Sequence, residues 1–385
     1  MKVIFLFRSL AIMGGVEKVI IEKMNVFAEH LNYNVTIITY EQGNHKIPFP
    51  LSPKVNYIDL NCIFYKLYQY NILKRAFKFL YLKSKFRKKI NRIINDVKPD
   101  ILMCTTYSLL DISTIIKNKT VPIKIIESHS EKDAILKRKG NNLLYNAYAL
   151  LSNISLINEI KKSSIFTTLT HEDFSKWSEI QNKIVIPNML YSLPNKAKTE
   201  NSFKKVLSLG RLEEQKGYDM LIKAWIPISK KYPDWILEIF GSGSKKDYLN
   251  NLIAELDLNK YIKIKDPINN VYNELQNSDL YVLSSRWEGF GMVLIEAMIS
   301  GVPPVSFACP CGPKDIIKDG EDGLLVENGN IEQLTEKICY LIENEDVRKE
   351  MGKKARINVE RFKVENIAKQ WDDLFKDLLS QKEKH

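Results

Sequence analysis

KVLSLGRLEEQKGYDMLIKAWIPISKKYPDWILEIFG, residues 205–241, carries a strand, a helix and a second strand in immediate succession. KVLSLG (205–210) and WILEIFG (235–241) are short, nearly continuous apolar runs, the pattern of strands buried on both faces. YDMLIKAWIPISKKY (218–232) between them is helical in period and length. A strand followed by a crossover helix and another strand builds a parallel sheet.

The same alternation extends in both directions. Downstream, helix patterns at 245–258, 292–301 and 331–344 interleave with strand patterns IKIKD (262–266), DLYVLSS (279–285) and PPVSF (303–307). A last helix is predicted from Val364 to about Ser380. Upstream, KVIFLF (2–7), NVTIITY (34–40), KVNYIDL (54–60), DILMCTT (100–106), IKIIESHS (123–130), SIFTTLT (164–170) and KIVIPN (183–188) read as strands, with VEKVIIEKMNVFAEHL (16–31) a helix. The polar, Pro-containing stretch 191–204 reads as a linker between the two runs. The expected fold class is therefore α/β: two Rossmann-like, doubly wound parallel-sheet domains at 1–190 and 205–365, facing across a cleft.

A length of 385 residues is enough for two such domains, and a hydrophobic share of 45% with 27% charge excludes disorder, collagen and coiled coil. No apolar run reaches the length of a membrane span, and the N-terminal run is too short and interrupted for a signal peptide. The five cysteines are irregularly spaced, which suits a reducing cytosol, and no His/Cys cluster suggests a metal. The net charge of +11 is lopsided: residues 1–200 carry +14 and residues 201–385 carry −3. The first half therefore points to an anionic partner.

Five constellations carry candidate chemistry. In SSRWEGFGMVLIEAMISG (284–301), Glu288 precedes a helix and Glu296 lies within it, seven residues between them. Gly289 and Gly291 would let the chain approach a ligand, and the helix N-terminus favours an anion such as a diphosphate. An ordinary capped helix with solvated carboxylates is the alternative. Gly210, Arg211 and Lys216 follow a strand, where two cations could clamp a diphosphate or simply form a solvated basic loop. Gly14-Gly15 after the first strand suits a turn near phosphate, or a plain turn. Gly241 and Gly243 open a helix after a strand and read as a loop lining a nucleotide pocket. His129, between Ser128 and Ser130 at a strand end, is better placed for a cleft than for a core, although a structural role stays open. The fifth, residues 62–92, holds ten Lys/Arg and no Asp or Glu, interleaved with Phe, Tyr and Leu. A basic, aromatic-rich amphipathic helix reads as a surface for an anionic membrane, against a helix whose stripe faces its own domain. No DNA- or RNA-binding motif accompanies it, so nucleic acid is not an expected partner.

Together these segments resemble glycosyltransferase family 4, retaining sugar-nucleotide transferases of the GT-B fold. GGVEKV (14–19) looks like the family's first glycine loop and IPN (186–188) like the end of its first domain. LGRLEEQKG (209–217) looks like the phosphate-clamping segment, EGFGMVLIE (288–296) like the Glu, seven residues, Glu motif, and DGEDGLLVENGN (319–330) like the usual turn. Where the family often has N-G-x-D, this chain has Asn188-Met189-Leu190-Tyr191.

The resemblance implies roles. Arg211 and Lys216 would hold the donor diphosphate, and Glu296 the ribose hydroxyls. Glu288, with the backbone of Phe290, Gly291 and Met292, would hold the transferred sugar, and His129 would lie beside its reacting face. Gly14, Gly15, Gly210, Gly241, Gly243, Pro267, Ile268, Gly289 and Val293 complete the donor-binding set. His129, Arg211, Lys216 and Glu288 are the expected catalytic residues. Neither a metal nor a cofactor is implied beyond the donor, expected to be a UDP-sugar. A C-terminal helix, 366–385, would pack back toward the first domain. SFACPCGPKDII (306–317) resembles members that act on lipid-linked oligosaccharides or capsule units. The implied reaction is retaining, metal-independent transfer of a hexose or N-acetylhexosamine to a glycan acceptor, lipid-linked, in capsule, O-antigen or related surface polysaccharide biosynthesis. The enzyme would be cytoplasmic and peripheral on the inner face of the cytoplasmic membrane. A sugar-nucleotide 2-epimerase on the same fold, or a non-catalytic basic scaffold, are the rival readings.

Overall fold

The computed structural model describes residues 1–136, 140, 142–191, 202–268 and 270–383. The strands run β1 (Lys2–Leu6), β2 (Asn34–Thr39), β3 (Val55–Asp59), β4 (Ile101–Thr105), β5 (Ile123–Glu127), β6 (Ile165–Thr168) and β7 (Lys183–Val185) in the first half. The helices there are α1 (Gly15–Glu29), α2 (Ile72–Val97), α3 (Leu109–Lys117), α4 (Lys132–Ile135), α5 (Leu143–Ile160) and α6 (His171–Lys176). The second half has β8 (Lys205–Leu209), β9 (Ile236–Phe240), β10 (Ile262–Lys265), β11 (Leu280–Leu283), β12 (Pro304–Phe307) and β13 (Leu324–Val326). Its helices are α7 (Tyr218–Lys231), α8 (Lys246–Glu255), α9 (Val271–Gln276), α10 (Met292–Ile299), α11 (Pro313–Ile316), α12 (Ile331–Glu343) and α13 (Glu345–Asn358). Helix α14 (Val364–Glu383) ends the described chain.

Two compact units result. The first comprises Met1–Leu169, Asp173–Met189 and the chain from Val364 onward; the second comprises Thr170–Glu172 and Leu190–Lys363. The first unit's sheet has the order β3-β2-β1-β4-β5-β6-β7, the second β10-β9-β8-β11-β12-β13, with every pair parallel. The expected pair of parallel-sheet α/β domains is therefore present. Every run quoted above as a strand forms one; the inner strands are apolar almost throughout because they are buried on both faces, whereas the edge strands β3, β7 and β10 are only partly covered. Only β13 is hidden in the sequence, inside DGEDGLLV, where the glycines dominate the reading.

In the first unit, α2, α3 and α5 cover one face: Phe86, Ile90, Ile94, Ile112, Ile115, Leu156 and Ile160 join Ile4, Leu102 and Phe166 in a single core. On α2 these apolar residues recur every four positions, and each such side chain fully buried contributes about 1.5–3 kcal/mol. Helix α1 is buried without a break from Val19 to Ala28. Helix α14 packs on it, with Trp371 and Phe375 against Phe27 at ring separations of 5.8 and 5.4 Å. The Tyr33 hydroxyl donates to Asp372 of the same helix.

Two expectations are refined. Residues 62–92 do not form one helix. A 3-10 turn over Phe64–Gln69 is followed by Asn71, whose side chain accepts from the Lys74 N–H at 3.0 Å and caps α2. An Asn that satisfies an otherwise orphan N–H starts a helix where it stands. Of the expected linker 191–204, residues 192–201 lie outside the described residues, whereas Ser202–Lys205 are already fastened to the second unit by Asp279, which accepts from the Phe203 N–H at 2.7 Å. No helix among the described residues is long and apolar enough to cross a membrane.

Candidate active site

In the second unit the predicted donor-binding residues fall at the carboxyl ends of four adjacent strands. Pro267 and Ile268 follow β10, Gly241 and Gly243 follow β9, Gly210, Arg211 and Lys216 follow β8, and Glu288 to Glu296 follow β11. In parallel sheets this edge is where ligands bind. The strand ends sit very close: a Cβ on Gly241 would lie 1.9 Å from the Gly210 carbonyl oxygen. Only glycine permits that approach of β9 to β8.

The loops after β8 and β11 are stitched together. Ser284 Oγ donates to the Lys216 carbonyl at 2.9 Å, the Arg286 N–H to the Gln215 carbonyl at 2.7 Å, and Gln215 Nε2 to the Trp287 carbonyl at 2.9 Å. Arg286 grips Asp219 with both terminal nitrogens, at 3.0 and 2.8 Å, a geometry only a planar guanidinium allows. The Asp219 carboxyl is accordingly held below its ordinary range, the Arg286 pair outweighing the upward push of burial.

This scaffold presents a charge pair. Lys216 Nζ donates to Glu288 Oε1 at 2.6 Å, and Ser285 Oγ donates to the same oxygen at 2.6 Å. Both side chains are largely but not fully covered, at 15% and 8% exposure, so the pair remains reachable by a ligand. Arg211 is exposed and loosely held, its Nη2 donating to Gln215 Oε1 at 3.0 Å. Behind Glu288, its N–H donates to the Pro310 carbonyl at 3.0 Å, and Phe290 packs edge-on against Phe362 at 5.6 Å. Gly289 lies in this loop. Gly291, in the left-handed region at φ +97°, starts α10, whose first turn carries Met292 and Val293. Glu296 is buried one turn further on. Gly243 leads into a turn locked by Glu213, which accepts from both the N–H and the Oγ of Ser244 at 2.8 and 2.7 Å.

The first unit carries the remaining predicted residues. Gly14 precedes α1 in extended conformation, and Gly15 is its exposed first residue. His129 follows β5, and here the structure corrects the sequence reading. Its side chain is only 2% exposed, with Nε2 3.0 Å from Glu127 Oε2. The reason is a buried ionic group that sequence reasoning missed. Lys23, on the enclosed middle of α1, puts its ammonium against both oxygens of Glu127. It also lies over the Trp371 ring of α14, 5.0 Å from the centroid. These three polar side chains line one small cavity with Thr167, Asn188 and Trp371.

The electrostatics follow. Burial pulls the Lys23 ammonium down despite Glu127. Burial pushes Glu127 up, but Lys23 and His129 outweigh it and hold the carboxylate below its usual range. Burial also drives His129 below its ordinary 6.5, more than Glu127 draws it up, so the imidazole is neutral at neutral pH. Nearby, at the start of α3, burial pushes the Asp111 carboxyl up to about 7, against the pull of the Tyr40 and Ser108 hydroxyls. Glu127 and His129 stand two apart, the spacing that puts strand residues on one face, which is the only sequence signal for the pair. Lys23 gave none, because its partner is 104 residues away.

Comparison with known proteins bears on the family and the fold. Residues 192–358 match the family model "Glycosyl transferases group 1". An uncharacterized glycosyltransferase of Haemophilus influenzae is 30% identical over 376 residues, covering 96% of this chain and 98% of that protein. The chain belongs to the glycosyltransferases, and its residues 192–358 are a group 1 segment. The amylovoran biosynthesis glycosyltransferase AmsD of Erwinia amylovora is 25% identical over 388 residues, covering 97% of this chain and 99% of its own. Staphylococcus aureus TarM, solved as a point mutant in complex with fondaparinux, alpha-GlcNAc-glycerol and UDP, superimposes with a TM-score of 0.75 at 18% identity, over 97% of this chain and 99% of that one. This glycosyltransferase thus shares the GT-B fold.

Proposed function

We propose that this glycosyltransferase moves a hexose or N-acetylhexosamine from a UDP-sugar to a glycan acceptor with retention of configuration. The observation that carries the reading is the Lys216–Glu288 pair, open to a ligand at the joined ends of β8 and β11. A donor entering there exchanges one ionic partner for another. Its diphosphate takes Lys216 and the exposed Arg211, and a hydroxyl of its sugar takes Glu288.

The C1–O bond to the diphosphate breaks as charge builds on the departing oxygens. Two cations, Lys216 held by its loop and Arg211 free to reach, and the N–H groups of the first turn of α10 stabilise that charge without a metal ion. The acceptor hydroxyl attacks C1 from the face the diphosphate leaves, and a departing phosphate oxygen takes its proton. Glu296 holds the ribose diol.

The acceptor is a lipid-linked glycan in surface polysaccharide assembly. AmsD's place in amylovoran biosynthesis and the basic, apolar first half of α2 support this reading. The enzyme works in the cytoplasm, peripheral on the inner membrane face, with the Lys/Arg of 62–92 on anionic headgroups. The test is a panel of nucleotide sugars assayed with and without a polyprenyl-diphosphate glycan. Transfer requires both substrates. Free nucleotide and a rearranged sugar without acceptor would establish the epimerase instead. Full transfer activity in both Lys216→Ala and Glu288→Ala would refute the site.

A further inference from the structure

Helix α5 is an anomaly that neither the fold nor the donor site explains. From Gly140 to Asn158 the sequence has no Lys, Arg, Asp or Glu. Yet Leu143, Tyr145, Tyr148, Leu150, Leu151 and Ile154 are 45% to 83% exposed. Among the described side chains of the helix, only Ala149, Leu156 and Ile160 are buried with the apolar residues of the core. A water-facing helix normally carries charge there, and clustered exposed apolar residues mark a contact surface.

Helix α2, on the same face of the sheet with α3 between them, has the same asymmetry. Helix α2 buries Phe86, Ile90 and Ile94 in its second half and exposes Ile72, Leu73, Phe77, Leu80 and Tyr81 in its first. Each helix leads from the carboxyl end of one parallel strand to the start of the next, so both run antiparallel to the strands. The exposed first half of α2 and the start of α5 therefore stand at the carboxyl edge of the first unit, and the exposure of α5 continues past its midpoint to Ile154. The two differ in charge. The exposed half of α2 is studded with Lys74, Arg75, Lys78 and Lys83, whereas α5 is uncharged there.

We infer that α5 is a second membrane-contact element, lying in the interface with its Leu and Ile among acyl chains while α2 holds anionic headgroups. The inference rests on the peripheral membrane reading above. The charge pattern selects lipid over a protein partner: cations on α2 and a neutral apolar face on α5, on one side of the unit, complement an anionic surface over hydrocarbon. The tyrosines, with a polar tip on an apolar body, suit that boundary. It follows that attachment is hydrophobic as well as electrostatic, and resists salt.

The test is flotation of the full chain with vesicles of phosphatidylcholine and phosphatidylglycerol, at about 0.1 M and about 1 M salt, which shortens the screening length from roughly 10 to 3 Å. Wild type is expected to float at both. A triple variant, Leu150→Gln, Leu151→Gln and Ile154→Gln, is expected to float at low salt and to lose about tenfold or more of its binding at high salt. Lys74→Gln, Arg75→Gln and Lys78→Gln together are expected to weaken the low-salt binding instead. All substituted residues are at the surface, and an unchanged thermal transition of each variant checks the fold. If the triple variant floats like wild type at high salt, or if wild type itself is released there, the inference about α5 is overturned while the headgroup reading of α2 stands. Wild type that fails to float at low salt overturns both. A wild-type dimer that the triple variant converts to monomer assigns the face to a second copy of the chain and also overturns the inference.

Discussion

Both units gather polar residues at the carboxyl ends of their strands, but they treat the charges in opposite ways. In the second unit Arg211 is exposed and Lys216 and Glu288 keep some access to solvent. In the first, Lys23, Glu127 and His129 are enclosed by α1, β5 and α14 and satisfy one another. Open charges can be handed to a ligand; enclosed ones can only hold geometry. On the proposed function, binding and leaving-group stabilisation fall to the second unit's open charges, while those of the first hold one another in place.

The largest effect should come from breaking the enclosed group. Lys23→Ala strands a buried carboxylate, and removing one partner of such a pair costs about 3–5 kcal/mol. Urea unfolding should show that loss, and an unchanged midpoint would mean the cluster is not buried. Lys216→Ala should leave stability near wild type but lower the transfer rate by about 10²–10³, the usual cost of one preorganised charge-stabilising donor. Kinetics at saturating donor measure it. If Lys216→Ala instead unfolds the second unit, the pair is structural and the contrast collapses.

Gly241→Ala sharpens the picture of joined strand ends. The added Cβ meets the Gly210 carbonyl at 1.9 Å, so the two loops must separate. A strain of about 1–3 kcal/mol is expected, with UDP affinity, read by calorimetry, falling in step. The smallest effects are those of pH, and they oppose each other. His129 is held below its ordinary value, so the unfolded chain binds its proton first and stability is lost as pH falls through 6.5. Asp111 is raised to about 7, so the folded chain binds its proton first and stability grows as pH falls from 8 toward 6. Between pH 8 and 6, His129→Gln should remove the first slope and Asp111→Asn the second. Each should differ from wild type by about 1 kcal/mol across that window, in opposite directions, on stability–pH curves.

Those enclosed residues also mark the limit of what a sequence displays. The inner strands are readable because a strand buried on both faces must be apolar almost throughout, and the donor-site candidates Arg211, Lys216, Glu288 and Glu296 because their segments resemble those of glycosyltransferase family 4. Lys23 is not readable, since VEKVIIEKMNVFAEHL looks like a helix with one wet face, and only the packing of α14 closes that face. His129 looks accessible because its flanking serines are polar, while Glu127, the residue that draws it inward, belongs to the strand. Asn71, which divides 62–92 in two, carries an N-cap signature that the surrounding basic and aromatic pattern obscures. The apolar exposure of α5 cannot be read at all, because a charge-free run reads as core until its neighbours are known.

The central claim is that a nucleotide diphosphate replaces Glu288 as the partner of Lys216. A crystal structure with UDP tests it most directly. The account predicts the diphosphate within hydrogen-bond reach of Lys216 Nζ and Arg211, with the ribose diol on Glu296. UDP bound elsewhere, with the 2.6 Å Lys216–Glu288 contact intact, would contradict it.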